Sequence, residues 1–316
     1  MLFQNTHSSS IQLFAGHGDT WQIHLRACTD ILCKGYWKQA WELGLVESPD
    51  ALFDGQTTLV FQEGRRPPEE SAIFTFLCGV TIWLDVVSCI TTEKSPRLLS
   101  FHPHAVSYNS AIKLENIMGC KNWAILQIGR ISALHEYRTQ ALQQGCLDTT
   151  DFQGRADNIR RELRDGLAQF CLDSLEISPP SHFAFPLNPD IYIITRIFTL
   201  MASIYLYLVV QGYQLETQEL RSLVAETMTM LRTKMPAHSM HVIICPLYII
   251  GSVAKEEEKQ FFQHVFSSAP VLDPSLEHRG KILPLLEEIW RMRDTSMTGW
   301  TWQDTVQLSD QNLLLL

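Results

Sequence analysis

"IYIITRIFTLMASIYLYLVV", Ile191 to Val210, is apolar on every side except at Arg196, and its reading decides the fold. A helix that is hydrophobic all round is either a membrane span or the buried centre of a helical domain. Beyond the arginine, the stretch from Ile197 to Val210 rises only about 21 Å, short of a hydrocarbon core of about 30 Å. Including Arg196 supplies the length but puts a charge in the span, at roughly 2.5–3.5 kcal/mol on insertion scales. The buried-helix reading follows, with membrane anchoring by residues 191–210 as an alternative.

The rest of the chain offers such a helix a helical setting. Apolar residues recur with helical period almost throughout, and no series of alternating strands joined by hairpin turns is evident. The fold class predicted is all-α: a single large multi-helix domain of packed, mostly antiparallel helices with no substantial β-sheet. After the turn-like "GHGDT", Trp21, Leu25, Cys28 and Leu32 share one face of a first helix. Further helices are predicted over 71–91, 121–144, 155–175, 216–234, 283–293 and 300–309. In "HVIICPLYIIGSVA" Pro246 should kink or offset a buried helix. Residues 1–19 read as a tail and 20–316 as the domain. The stretch "EISPPSHFAFPLNPD", 176–190, has four prolines and no helical period, which marks an internal boundary or a surface strap.

With 46% hydrophobic and 19% charged residues over 316 positions, the composition suits a soluble globular protein. A formal net charge of -9 argues against nucleic-acid binding by this chain alone, because phosphate contacts need a surplus of Lys and Arg on one face. The basic groups Arg160, Arg161, Arg164, Arg291 and Arg293 are interleaved with acidic residues and read as solvated helix faces. Eight cysteines without framework spacing indicate free thiols in a reducing compartment. The opening "MLFQNTHSSSIQLF" has neither a basic leader nor a continuous apolar segment, so secretion is not expected.

Chemistry-bearing residues occur, but not in patterns that chemistry requires. In "FLCGVTIWLDVVSCI", Phe76 to Ile90, Cys78 and Cys89 share a helix face yet stand about 16 Å apart along the axis, too far to ligate one ion. Asp85 and Cys89, four apart, make half a site at most. "HPH" at 102–104 and "HSMH" at 238–241 lack the third and fourth ligands that zinc requires. Nucleophile elbow, phosphate loop, dinucleotide fingerprint and Cys-x-x-Cys motifs are absent from the sequence. Trp290, Trp300 and Trp302 read as core anchors, since single-strand binders set such aromatics in a basic groove. Glu287 and Arg291 read as an exposed pair four residues apart. No catalytic, cofactor-binding or metal-ligating residue is assigned and no cofactor is implied. The chain reads as non-enzymatic; an enzyme of secondary metabolism with a site assembled from scattered His, Asp and Cys is the other alternative.

The order of segments carries more information than any one of them. "TWQIHLRACTDIL" (20–32), "WLDVVSCITTEKSPRLLS" (83–100), "IMGCKNWAILQIGRISAL" (117–134), "ITRIFTLMASIYLYLVVQG" (194–212), "ICPLYIIGSVA" (244–254), "FFQHVF" (261–266) and "LLEEIWRMRD" (285–294) followed by "WQD" (302–304) together resemble the helical regulatory domain of fungal zinc-cluster transcription factors. The similar branch includes the acriflavine sensitivity control protein. The resemblance runs from about residue 20 to the end and implies an all-helical regulator of transcription in the nucleus, tied to secondary-metabolite gene clusters or drug resistance. It makes Trp83, Leu84, Asp85 and Cys89 wall rather than site, with Asp85 tied to a neighbouring helix end or polar side chain. The family's six-cysteine binuclear zinc cluster is missing from these residues, which implies either that they are part of a longer or shortened gene product or that they act through protein partners of the transcription machinery or a DNA-binding subunit. A small-molecule effector in a helical pocket and homo-oligomerisation are compatible with the resemblance. A second departure, Pro284, is read as marking the first turn of its helix.

Overall fold

A computed structural model describes residues 20–42, 68–106, 112–175, 189–296, 299–309 and 313–316. Among them the chain is all-α, with no strand. Its contacts divide it into two compact units, one comprising residues up to Asp85 and Arg97–Ile117, the other Val86–Pro96 and Met118–Leu316. The tail at 1–19 and the stretch 176–188 lie outside the described residues.

The first unit contains α1 (Thr20–Glu42), the leading part of α2 (Pro68–Thr92), the short α3 (His102–Ala105) and most of the short α4 (Glu115–Met118). The buried stripe of α1 is Trp21, Leu25 and Thr29, whereas Cys28 is only half-buried and Leu32 likewise. The stripe therefore advances by four residues per turn, away from the face that Trp21, Leu25, Cys28 and Leu32 would share. Asp85, buried on α2, accepts hydrogen bonds from the backbone N–H groups of Arg97 (3.0 Å) and Leu98 (2.8 Å). It thereby satisfies two donors where the chain turns toward α3, which is the scaffolding role inferred for it. Arg97 also reaches Asp30 of α1 at 2.5 Å.

The second unit is organised around α7 (Pro189–Gln211), which packs against α5 (Asn122–Gln143), α6 (Thr149–Leu175), α8 (Gln218–Thr233) and α9 (Ile244–Ser252). Being surrounded explains why α7 is apolar on every side: Ile197, Phe198, Met201, Ala202, Tyr205 and Leu208 are all buried. Arg196, the exception, pairs with Glu226 of α8 at 2.6 Å. Among the described residues two helices, over Thr75–Thr92 and Asp190–Gln211, are long and apolar enough to cross a membrane, and 72% and 78% of these stretches are buried in the protein. That apolar surface is used in packing.

α5 and α6 form a helical hairpin through the short 144–148 connection. α6 begins at Thr149, earlier than 155, because Asp148 caps it: its carboxylate accepts the N–H groups of Thr150 (2.8 Å) and Asp151 (3.1 Å). Its inner face is Phe152, Ala156, Ile159, Leu163 and Phe170, and Gly166 lets it close onto Trp123 of α5. The outer face carries Arg160, Arg161 and Arg164 beside Asp157, Asn158 and Asp165, a solvated face as read from the sequence. The chain enters α5 through Gly119, in the left-handed region at φ 79°, and the N–H of Lys121 donates to the Thr195 hydroxyl of α7 at 3.1 Å.

The remaining helices are α10 (Glu256–Phe266), α11 (Ile282–Thr295) and α12 (Trp302–Leu308), with 3-10 turns at Ala237–Ile243 and Glu277–Lys281. Pro246 sits in the first turn of α9, where its missing N–H breaks no helical bond; the 3-10 segment before it supplies the offset. Pro284 is likewise in the first turn of α11. Arg291 pairs with Glu288, three residues back, at 2.6 and 2.8 Å. Glu287 instead accepts from Gln263 of α10, so the pairing with Arg291 expected from a spacing of four is not the one formed. Leu313, Leu314 and Leu315 are buried; the Leu313 carbonyl accepts from the Thr91 hydroxyl at 2.7 Å, and the Leu316 carbonyl from Arg279 at 2.8 Å.

Candidate functional site

The residues singled out in the sequence do not converge. Cys78 and Cys89 are buried, as are Asp85 and His102; the His102 Nε2 lies 3.7 Å from the Asp85 carboxylate. His102 is a buried residue at the start of α3. His238 and His241 are exposed on a 3-10 turn, with His241 Nδ1 2.8 Å from the His238 carbonyl. Among the described residues no group of three or more His, Cys, Asp and Glu is placed to hold a metal ion. Trp290 and Trp302 are buried, and Trp300 is half-buried with its indole N–H donating to Thr305 at 2.8 Å.

What does converge is a set of side chains on the end of α9. A helix leaves its last carbonyls unpaired and carries a partial negative charge there. Here the Gly251 carbonyl accepts from the Trp290 indole (2.7 Å), Ser252 and Ala254 from the buried Arg293 guanidinium (2.7 and 2.9 Å), and Val253 from Arg221 (3.2 Å). The Ser252 hydroxyl accepts from Tyr213 (3.1 Å), whose own hydroxyl accepts from Thr305 (2.8 Å), linking α9 to α12. Each contact satisfies main chain or joins one helix to another.

The buried titratable groups of this unit are pushed away from neutrality. Burial raises the Tyr205, Tyr248 and Cys245 pKa values, and raises Tyr213 to about 12. Burial, reinforced by the Arg138 charge, lowers His135 to about 4. All these groups are neutral over the physiological range.

One cleft of about 280 Å³ opens between the C-terminal half of α5 and α12. α5 lines it with His135, Arg138, Thr139 and Leu142, which recur at helical spacing, and α12 with Trp302, Gln303 and Gln307. Val209 closes it at the end of α7, where its carbonyl accepts a hydrogen bond from Arg138 Nη1. Thr139 donates to the Gln303 side-chain carbonyl at 3.2 Å, and Trp302 stands edge-on to Tyr205 with ring centroids 5.0 Å apart. Nothing in the sequence reading located this cleft. The 135–138–139–142 face was visible as a periodicity, but the α12 face opposite it lies more than 150 residues away along the chain.

The family model described as "Fungal specific transcription factor domain" matches residues 3–316. The chain belongs to this family. This fungal transcription factor domain is 33% identical over 307 residues to the pestheic acid cluster transcriptional regulator 3 of Pestalotiopsis fici, covering 96% of the chain and 54% of that relative. It is 26% identical over 315 residues to the trichothecene biosynthesis transcription regulator TRI10 of Fusarium sporotrichioides, covering 96% of the chain and 68% of the relative. Against the transcription factor dibT of Pestalotiopsis microspora it is 25% identical over 315 residues, covering 92% and 49%. The chain therefore spans about half to two thirds of the length of these relatives. No solved structure matches it.

Proposed function

We propose that this chain is the helical regulatory part of a non-enzymatic transcription regulator that acts in the nucleus on a secondary-metabolite gene cluster. The observation that carries this reading is the family match across residues 3–316, together with relatives named as regulators of pestheic acid and trichothecene biosynthesis. The physical features agree with it. The buried arginines and tyrosines near α9 hold helix ends together, and Tyr213 there and His135 on α5 lie far from the pKa range that proton transfer at neutral pH favours. A net charge of -9 favours contacts with protein partners over direct phosphate binding, so the domain would reach promoters through a DNA-binding partner or an additional DNA-binding segment.

The test is a tethering experiment. Residues 1–316 are fused to a heterologous bacterial DNA-binding domain and a reporter is placed behind its operator, while the native gene is deleted and transcripts of neighbouring biosynthetic genes are measured. The reading expects reporter output to change on tethering and cluster transcripts to change on deletion. Unchanged transcripts and an unaffected reporter would refute it.

A further inference from the structure

The cleft between α5 and α12 has an imbalance of charge. Its lining offers amides, hydroxyls and an imidazole, with a single charged group, the guanidinium of Arg138, and no carboxylate. The partners of Arg138 do not neutralise it: Nη1 donates to the Val209 carbonyl, and the group lies 5.5 Å from the centre of the Phe152 ring. A guanidinium presents five N–H donors in a rigid planar fork, and a carboxylate matches that fork with two parallel hydrogen bonds. Among the described residues no carboxylate pairs with Arg138 of α5, whereas each arginine whose contacts are described on the neighbouring α6 has an acidic or amide neighbour. Beside this cation the exposed apolar surface of the cleft is that of Leu142, with Val209 and Trp302 buried behind it.

We infer that this cleft binds a small amphipathic monoanion: an aromatic carboxylate whose charged end takes the free edge of Arg138 and whose ring lies against the exposed Leu142 beside Gln303 and Gln307. Three features select that class. One uncompensated cation calls for one negative charge, which disfavours phosphate esters, whose second charge would go unpaired. The apolar walls favour a ring over a sugar or a free amino acid. The volume of about 280 Å³ sits at the lower edge of ligand pockets, which run from about 300 to 1,000 Å³, and so suits a one- or two-ring acid. Gln303 and Gln307 add amide groups that would recognise ring hydroxyls. The inference goes beyond the regulatory reading and is tested by binding to the 316-residue chain, so either can fail without the other.

The probe is 1-naphthoate, titrated calorimetrically into the 316-residue chain, with 1-naphthamide as a neutral isostere and 1-naphthylmethylammonium as a cation of similar size. The acid is expected to bind saturably and at least about ten-fold (1.4 kcal/mol) tighter than the amide, with no measurable binding of the ammonium. Arg138→Met should abolish the preference for acid over amide. Because Arg138 also holds the end of α7, a second variant guards against a folding defect: Leu142→Trp, at a side chain 56% exposed, should block the cleft and abolish binding of both probes while leaving the thermal melt unchanged. Equal affinity for acid and amide, absence of binding by the acid, or full binding by the Leu142→Trp variant would overturn the assignment.

Discussion

The same substitution at two glycines of α6 should have opposite signs. Gly154 is exposed, and a Cβ placed on it meets nothing within 4 Å. At Gly166 a Cβ would lie 2.6 Å from Cε3, 2.8 Å from Cζ3 and 3.1 Å from Cδ2 of Trp123. Gly154→Ala restricts the unfolded chain without new contacts and should stabilise the unit by about 0.4–1 kcal/mol. The same entropic gain exists at 166, but carbon atoms pack at about 3.5–4.0 Å, so the indole must withdraw by on the order of 1 Å. It is a rigid plane, also packed at 6.3 Å against Phe170, and has no flexible end to swing away. Overpacking of this kind costs about 1–3 kcal/mol, leaving a net loss of roughly 1–2 kcal/mol. Urea unfolding followed by far-ultraviolet circular dichroism reads both variants in one helix. The midpoint should rise for Gly154→Ala and fall for Gly166→Ala, and Trp123→Leu should restore part of the latter loss in a double-mutant cycle. A Gly166→Ala midpoint at or above the parent would refute the packing argument.

Three further outcomes follow from particular groups. Because His135 is lowered from 6.5 to about 4, the unfolded chain binds a proton in that window that the folded chain does not. Stability should thus fall on acidification through it by on the order of 3 kcal/mol, a slope that His135→Gln removes in pH-resolved urea melts. Arg293→Met would strand the Ser252 and Ala254 carbonyls and should destabilise by about 2–5 kcal/mol in the same assay, with Arg293→Lys rescuing little because an ammonium cannot reproduce the fork. Thr91→Val removes the donor to the Leu313 carbonyl and should cost about 1–2 kcal/mol, with amide hydrogen exchange accelerating in residues 313–316.

The helical plan was legible because its signals are local. Periodic apolar faces bounded by turn residues placed α5, α7, α8 and α11 within a few residues of their observed ends. The start of α6 was also legible: Asp148 ahead of two threonines is an N-cap signal, passed over in favour of the glycine at 154. Other choices depend on neighbours distant in sequence. Arg291 had acidic residues at spacings of both three and four, and Gln263 of α10 engages Glu287. The stripe of α1 included Thr29, which polarity alone removed from the predicted core; its hydroxyl donates to the Arg26 carbonyl at 2.9 Å and so can be buried. The cleft needed three segments at once, and a sequence shows only the periodicity of each.

The polar interior of this domain is organised around helix ends rather than around one cluster of side chains. Catalytic sites concentrate their requirements in a few side chains whose pKa values are drawn toward the working pH. In this domain the buried polar groups act on the main chain: Arg293, Arg221 and Trp290 cover the end of α9, Arg138 the end of α7, and Thr91 and Arg279 the last leucines. Each pairing joins segments tens to hundreds of residues apart, so each constrains where a helix ends relative to another helix more than which residue lies beside it in sequence. Arg138 stands at such a junction, touching both the cleft and the last turn of the central helix, so an acid drawn to its guanidinium would bear directly on how α7 ends.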